Sequence, residues 1–143
     1  MAGDREKAGE HPAGANQAAA IPVRRDKDGV RVCLIRRVDS AKWGVPEGFI
    51  EDHDDWKQAA AREAHEEAGR DGRVVGDCIG TYEYEKGGQT LVVAVGVMEV
   101  ADEHDKWPEM SWRERRWCSL DEAGTLLRNH PVRSLFDRIK PAL

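Results

Sequence analysis

Residues 48–70 read Gly-Phe-Ile-Glu-Asp-His-Asp-Asp-Trp-Lys-Gln-Ala-Ala-Ala-Arg-Glu-Ala-His-Glu-Glu-Ala-Gly-Arg, and no other stretch constrains the chain so tightly. The second half predicts a helix. Ala59, Ala60, Ala61 and Ala64 have high helix propensity, and Gly69 is the first residue to interrupt them, as a C-terminal stop. Asp54 and Asp55 fall in the expected first turn, where acidic side chains suit the exposed N–H groups and the positive end of the helix dipole. Glu63, Glu66 and Glu67 are spaced i, i+3, i+4 and so share one helical face. Like charges that close repel by about a few tenths of a kcal/mol per pair on an exposed helix. A cation is therefore expected among them, and Mg2+ or Mn2+ suits hard carboxylate oxygens best. The competing reading is a solvated acidic face balanced by Arg62 and Arg70.

The longer pattern decides between the two. A Gly, five residues, an acid, seven residues, then Arg-Glu-small-any-Glu-Glu-any-Gly resembles the Nudix box, the signature of hydrolases that cleave a diphosphate linked to another group. The matching positions are Gly48, Asp54, Arg62, Glu63, Ala64, Glu66, Glu67 and Gly69. Two positions depart from the pattern: Asp54 stands where the family usually has Glu, and Arg70 stands at the closing apolar position. In the family that first acid braces the loop-helix-loop, a role that a shorter Asp must fill here. The resemblance implies an α/β/α sandwich with a mixed β-sheet, hydrolysis of a phosphoanhydride, and Mg2+ or Mn2+ as cofactor. It adds the Gly48 carbonyl to Glu63, Glu66 and Glu67 as metal ligands. Arg62 is expected to orient a box carboxylate, and either Glu66 or Glu67 to act as general base.

A chain of 143 residues suits one domain. We expect residues 1–16, rich in Ala, Gly and charge, to be a flexible tail, and residues 17–143 to form the domain. The formal charge of -5 argues against non-specific binding to nucleic acid or anionic membranes. No apolar run approaches the roughly 20 residues that span a bilayer, and no signal peptide is evident. Cys33, Cys78 and Cys118 share no metal-type spacing, so free thiols in a reducing cytoplasm are expected. The partner expected is a small phosphorylated molecule, for a monomer or homodimer.

Along the chain, residues 17–25 predict a first strand, whose Pro22 suggests an edge or a bulge. Residues 26–29, Asp-Lys-Asp-Gly, predict a hairpin turn into a second strand over 30–36. Residues 70–72 are expected to be a turn and 73–84 a strand. After Gly87-Gly88, the apolar run over 90–100 predicts a central strand covered on both faces. Residues 101–109 predict an acidic loop, and 110–119 end in a short strand. Ser119 with Glu122 forms an expected capping box for the helix from Leu120, and a last helix is expected over 132–140.

The resemblance extends past the box. Val30 through Arg37, Trp43-Gly44-Val45-Pro46, Gly80 through Tyr84 and Arg113 through Trp117 look like the diphosphoinositol polyphosphate phosphohydrolase group, which also cleaves diadenosine polyphosphates. Phosphate-rich substrates need cations beside the metal. The candidates are Arg24, Arg36, Arg37, Lys42, Arg115 and Arg116, with Arg25 and Arg113 also at strand ends. Glu47 precedes Gly48 where many such relatives carry Lys or Gly, and an acid there would weaken inositol polyphosphate binding or add a metal ligand. Trp107, Trp112 or Trp117 could stack on an adenine, although Trp117 reads as core; His53 and His65 read as solvent-facing rather than as ligands of the glutamate cluster. Three functions stay open: a hydrolase of diphosphoinositol or dinucleoside polyphosphates, one of smaller nucleotides such as ADP-ribose or nucleoside triphosphates, and a non-catalytic nucleotide sensor.

Overall fold

The computed structural model describes residues 12–143. Six strands, β1 (Gln17–Asp26), β2 (Gly29–Arg37), β3 (Glu47–Phe49), β4 (Arg70–Lys86), β5 (Gln89–Glu103) and β6 (Arg113–Ser119), form one sheet. Its order is β4-β5-β1-β2-β6, with β3 paired to the start of β1. The β1–β5 pair is parallel, and the other pairs are antiparallel. Helix α1 (Trp56–Glu63) covers one face of this mixed sheet, and α2 (Leu120–Leu126), a 3-10 segment (Pro131–Arg138) and the short α3 (Ile139–Ala142) cover the other. This is the expected α/β/α sandwich.

Strand β5 shows why two layers of helix are needed. Val93, Val95 and Val97 point into the cluster under α2, while Ala94 and Met98 point into the cluster under α1. All five are fully buried, as the β-branched run predicts. On the α1 side the contact is built from small residues. Ala59, Ala60 and Ala64 meet Ala18, Ala20 and Ala94, and Trp56 closes the end of the row. An added Cβ on Gly96 would come within 2.8 Å of the Trp56 ring, so the helix lies close to the sheet. That approach sets how near its acidic face stands to β1 and β3.

Several elements differ from the sequence expectations, each for a physical reason. Pro22 lies within an interior strand, not at an edge or a bulge. Its neighbour on one side changes from β3, paired at 17–19, to β2, paired at 23–26, so its missing N–H falls between the two partners. The turn expected at 70–72 is strand, because Arg70 and Asp71 pair with Glu103 and Asp102 and draw the first residues of the acidic loop into β5. Asp55 alone is the N-cap of α1, sharing a capping box with Gln58, while Asp54 lies just outside the helix. The last helix is mostly a tighter 3-10 segment. The Ser119–Glu122 capping box forms as expected.

Of the segment expected to be a tail, residues 1–11 lie outside the described residues. Residues 12–16 pack on the sheet: Ala15 is buried, and the Asn16 side chain accepts from the Val92 amide at 2.9 Å.

Candidate functional site

Helix α1 widens as it ends. Residues Ala64–Ala68 continue it as one π-type turn, closed by Gly69 in the left-handed conformation at φ 64°. Glu63 and Glu67 lie close enough to shift one another's carboxyls, and Glu66, partly buried like Glu63, acts electrostatically on Glu63 and Arg62. Glu67 is 7% exposed and Glu63 partly buried. Burial, and then the adjoining Glu63, push the Glu67 carboxyl up to about 9; burial likewise raises Glu63. Two adjoining carboxyls, one buried and one partly buried, favour a cation between them.

Gly48 explains its own identity. A Cβ there would stand 2.7 Å from Glu63 Oε1 and closer still to the carboxyl carbon, so the Glu63 carboxylate occupies the space a side chain at 48 would take. The Glu47 amide donates to Glu67 Oε1 at 3.3 Å from the same strand. Two carboxylates against a glycine backbone are an oxygen-rich donor set that fits a hard divalent cation, and Glu66 stands beside them. Arg62 hydrogen-bonds Asp54 and donates to the Phe49 carbonyl at 3.1 Å, with Glu63 at 3.8 Å. The shorter Asp54 thus completes the brace, and Arg62 acts on the loop and Glu63 rather than reaching outward.

The glutamates open into a cleft of about 900 Å3 between the sheet end and the 40–51 loop. Of the expected substrate cations, Arg36, Arg37 and Lys42 line it; Arg113 does too. Arg36 lies over Trp43, 4.9 Å from the ring centre, and grips Glu114 at 2.8–3.3 Å. Arg113 bonds Glu109 at 2.9 Å and stands 3.7 Å from Glu67.

Arg24, Arg115 and Arg116 are not in this cleft. Arg24 lies over Trp117 and pairs with Glu103 at 3.1 Å. Arg115 lies 3.8 Å from the Trp107 ring centre and donates to the Ala68 carbonyl at 2.9 Å, bonding the end of the helix. Arg116 pairs with Glu122 at 3.3 Å. Arg70, at the position where the box pattern has an apolar residue, is 4% exposed, bonds Glu103 at 2.7 Å and lies over Trp117.

The adenine-stacking candidates fare similarly. Trp107 is engaged by Arg115 and donates to the Glu67 carbonyl at 3.1 Å, while the aromatics that line the cleft are Trp43, Phe49, Tyr82 and Tyr84. Trp117 is half-buried beside Cys33 and Ile35, and Trp112 is 42% exposed. His53 is exposed, and His65 points away from the glutamates, to Asp71. All three cysteines are free thiols.

Two features of the cleft were not read as a unit from the sequence. Glu47 accepts from Tyr82 at 2.6 Å and from Tyr84 at 2.8 Å. Burial and the Glu47 carboxylate raise both phenols, which keeps them protonated as donors. His130 packs edge-on against Tyr82 with ring centres 5.3 Å apart, and burial lowers its pKa against the pull of Glu47. The i, i+2 spacing of Tyr82 and Tyr84 on one strand face was the available signal.

A carboxylate pair at the end of a helix, facing a glycine strand at one end of a mixed α/β/α sheet, is an oxygen donor set that suits a hard divalent cation. The NUDIX domain family matches residues 14–138, and the chain belongs to that family. Nudix hydrolase 4 of Arabidopsis thaliana is 35% identical over 111 residues, covering 76% of this chain and 53% of the relative. The chain therefore spans about half the length of that relative. Diphosphoinositol polyphosphate phosphohydrolase 2 of Rattus norvegicus is 31% identical over 102 residues, covering 69% of this chain and 56% of the relative. Among solved structures, a C. elegans Ap4A hydrolase binary complex superposes with a TM-score of 0.73 at 23% identity, covering 87% of this chain and 94% of that one, a likeness of fold. Among the described residues no helix is long and apolar enough to cross a membrane.

Proposed function

We propose that this chain is a divalent-metal-dependent hydrolase of phosphoanhydride bonds, and that its substrates are dinucleoside polyphosphates in preference to diphosphoinositol polyphosphates. The observation that carries the reading is the meeting of Glu63 and Glu67 against Gly48 at the base of a cationic, aromatic-lined cleft. Glu63, Glu66, Glu67 and the Gly48 carbonyl would hold Mg2+ or Mn2+. Bound there, a divalent ion would neutralise the diphosphate oxygens and acidify the attacking water. The chain supplies the rest. Arg62 fixes the loop and Glu63; Arg36, Arg37 and Lys42 steer the phosphates; Glu66 or Glu67 takes the proton from water as its oxygen attacks phosphorus and the anhydride P–O bond breaks.

The substrate preference follows from charge. Arg36 is gripped by Glu114, Arg113 by Glu109 and Arg37 by Asp39, while Lys42 and Lys86 have no carboxylate partner among the described residues. Glu47 adds a negative charge to the cleft. An inositol polyphosphate demands more free cations than this. A dinucleoside polyphosphate carries fewer charges and two bases, which suit Trp43, the half-exposed Phe49 and Tyr84. The rat relative's name and the Ap4A hydrolase neighbour fit the same two substrate classes. A small-nucleotide pyrophosphatase acting on ADP-ribose or a nucleoside triphosphate is the alternative. A non-catalytic sensor fits poorly, since binding alone gives no reason to keep two buried carboxyls side by side. Three free thiols suit a reducing compartment such as the cytoplasm.

A substrate panel with and without Mg2+ tests this. Diadenosine tetraphosphate should be hydrolysed with a kcat/KM at least about tenfold above that for a diphosphoinositol polyphosphate, a difference of about 1.4 kcal/mol in transition-state stabilisation. Turnover of ADP-ribose or nucleoside triphosphates alone would move the assignment to the smaller substrates.

A further inference from the structure

Behind the catalytic helix, on the side away from the cleft, three side chains from three elements converge. His65 leaves the π-type turn that ends α1, Asp71 is the second residue of β4, and His104 follows the last residue of β5. Asp71 faces both histidines, with Oδ1 2.7 Å from His65 Nδ1 and Oδ2 2.7 Å from His104 Nε2. The ligand-type atoms of all three lie within 4.8 Å of one another, and the imidazole rings stand nearly perpendicular at 79°.

We propose that His65, Asp71 and His104 form a second metal site, for a borderline transition ion of the Zn2+ kind, separate from the glutamate cluster of the cleft. Two imidazoles and one carboxylate are a mixed nitrogen and oxygen donor set, which suits Zn2+ and its neighbours better than Mg2+. Ligand bonds of about 2.0–2.2 Å place adjacent ligand atoms roughly 3.3–3.6 Å apart in a tetrahedron, so each 2.7 Å hydrogen bond must open by roughly 0.6–0.9 Å. The side chains are 39–47% exposed, which leaves room for that movement and for water in the remaining position.

The electrostatic surroundings favour a cation. Asp102 is the cross-strand partner of Asp71, and like charges directly opposite on one face destabilise a sheet unless something positive lies between them. The adjoining helix ends here, so its carbonyl pole points toward the site. The backbone is already tied together: the His104 amide donates to the Gly69 carbonyl at 2.9 Å and the Gly69 amide to the His65 carbonyl at 3.1 Å. An ion would clamp the C-terminal turn of the catalytic helix to the ends of β4 and β5.

The site goes beyond the proposed hydrolysis, and its test reads binding alone. Tag-free full chain, saturated with Mg2+ to occupy the cleft, is titrated with Co2+ and then Zn2+. One equivalent of Co2+ should bind with visible ligand-field bands, Zn2+ should displace it, and the side-chain nitrogen resonances of His65 and His104 should shift while those of His53 do not. His104→Gln and Asp71→Asn should each weaken binding at least about tenfold, with circular dichroism showing the fold retained. Absence of a Mg2+-resistant equivalent, unshifted His65 and His104 resonances, or a thiolate charge-transfer band assigning the ion to a cysteine would each overturn the proposal. The resonance measurement needs no variant, so it decides the matter even if a substitution disturbs folding.

Discussion

The Glu63 carboxylate fills the space beside Gly48 that a side chain there would take: a Cβ on Gly48 would lie 2.7 Å from Glu63 Oε1. Gly48→Ala should therefore push the Glu63 carboxylate away from the strand while leaving the sheet paired. The expected result is a rise of roughly tenfold or more in the Mg2+ concentration needed for half-maximal hydrolysis. Thermal unfolding of the metal-free variant should change little, since its Cβ displaces one flexible side chain. An unchanged Mg2+ requirement would separate Glu63 from the metal.

The carboxyl pair makes a pH prediction for the metal-free protein. Glu67 is raised to about 9 from 4.5, so between these values the folded protein holds a proton that the unfolded chain has lost. Stability from this group is fully present below about 4.5 and declines as pH rises toward about 9. The loss should amount to a few kcal/mol at most, on the order of one per pKa unit and reduced by relaxation around a coupled pair. Urea unfolding across that window should show the decline in EDTA-treated protein. Glu67→Gln should flatten it, and saturating Mg2+ should oppose it.

Asp54 hydrogen-bonds Arg62 with its side chain only 9% exposed. Asp54→Asn removes the charge and keeps the shape, and should cost about 1.5–3 kcal/mol, the usual range for a hydrogen bond between charged groups. An Asp54→Asn/Arg62→Gln double-mutant cycle in denaturant should return a coupling energy of similar size. Additive effects would mean that the brace contributes nothing of its own.

Glu47, held by the hydroxyls of Tyr82 and Tyr84, sets the charge of the cleft wall. Glu47→Lys should raise kcat/KM for a diphosphoinositol polyphosphate relative to diadenosine tetraphosphate by about tenfold or more. The Tyr82→Phe/Tyr84→Phe pair, which frees the carboxylate without removing it, should not reverse the preference. Steady-state kinetics on the two substrates decides it.

How much of this was legible in the sequence depends on how local each feature is. The helix, its Gly69 stop and the Glu63–Glu67 pairing follow from spacing within one element, and they were read directly. The π-type last turn was not, because nothing in the i, i+3, i+4 pattern announces it. Arg24 and Arg36 look alike at strand ends. One is consumed by Glu103, 79 positions away, and the other lines the cleft, a difference set by sheet order. Arg115 likewise ends on the Ala68 carbonyl, 47 positions earlier. The grip of Tyr82 and Tyr84 on Glu47 spans 35 and 37 positions and depends on where β3 joins β1. Pro22 sits in an interior strand for the same reason: its neighbour on one side changes there from β3 to β2.

The most direct test of the account is single-turnover hydrolysis of diadenosine tetraphosphate by the unsubstituted chain and by a Glu63→Gln/Glu67→Gln variant, each titrated with Mg2+. The unsubstituted chain should require the ion, and the variant should lose at least about a hundredfold in rate while remaining folded by circular dichroism. Hydrolysis by the variant at the original rate and the original Mg2+ dependence would contradict it.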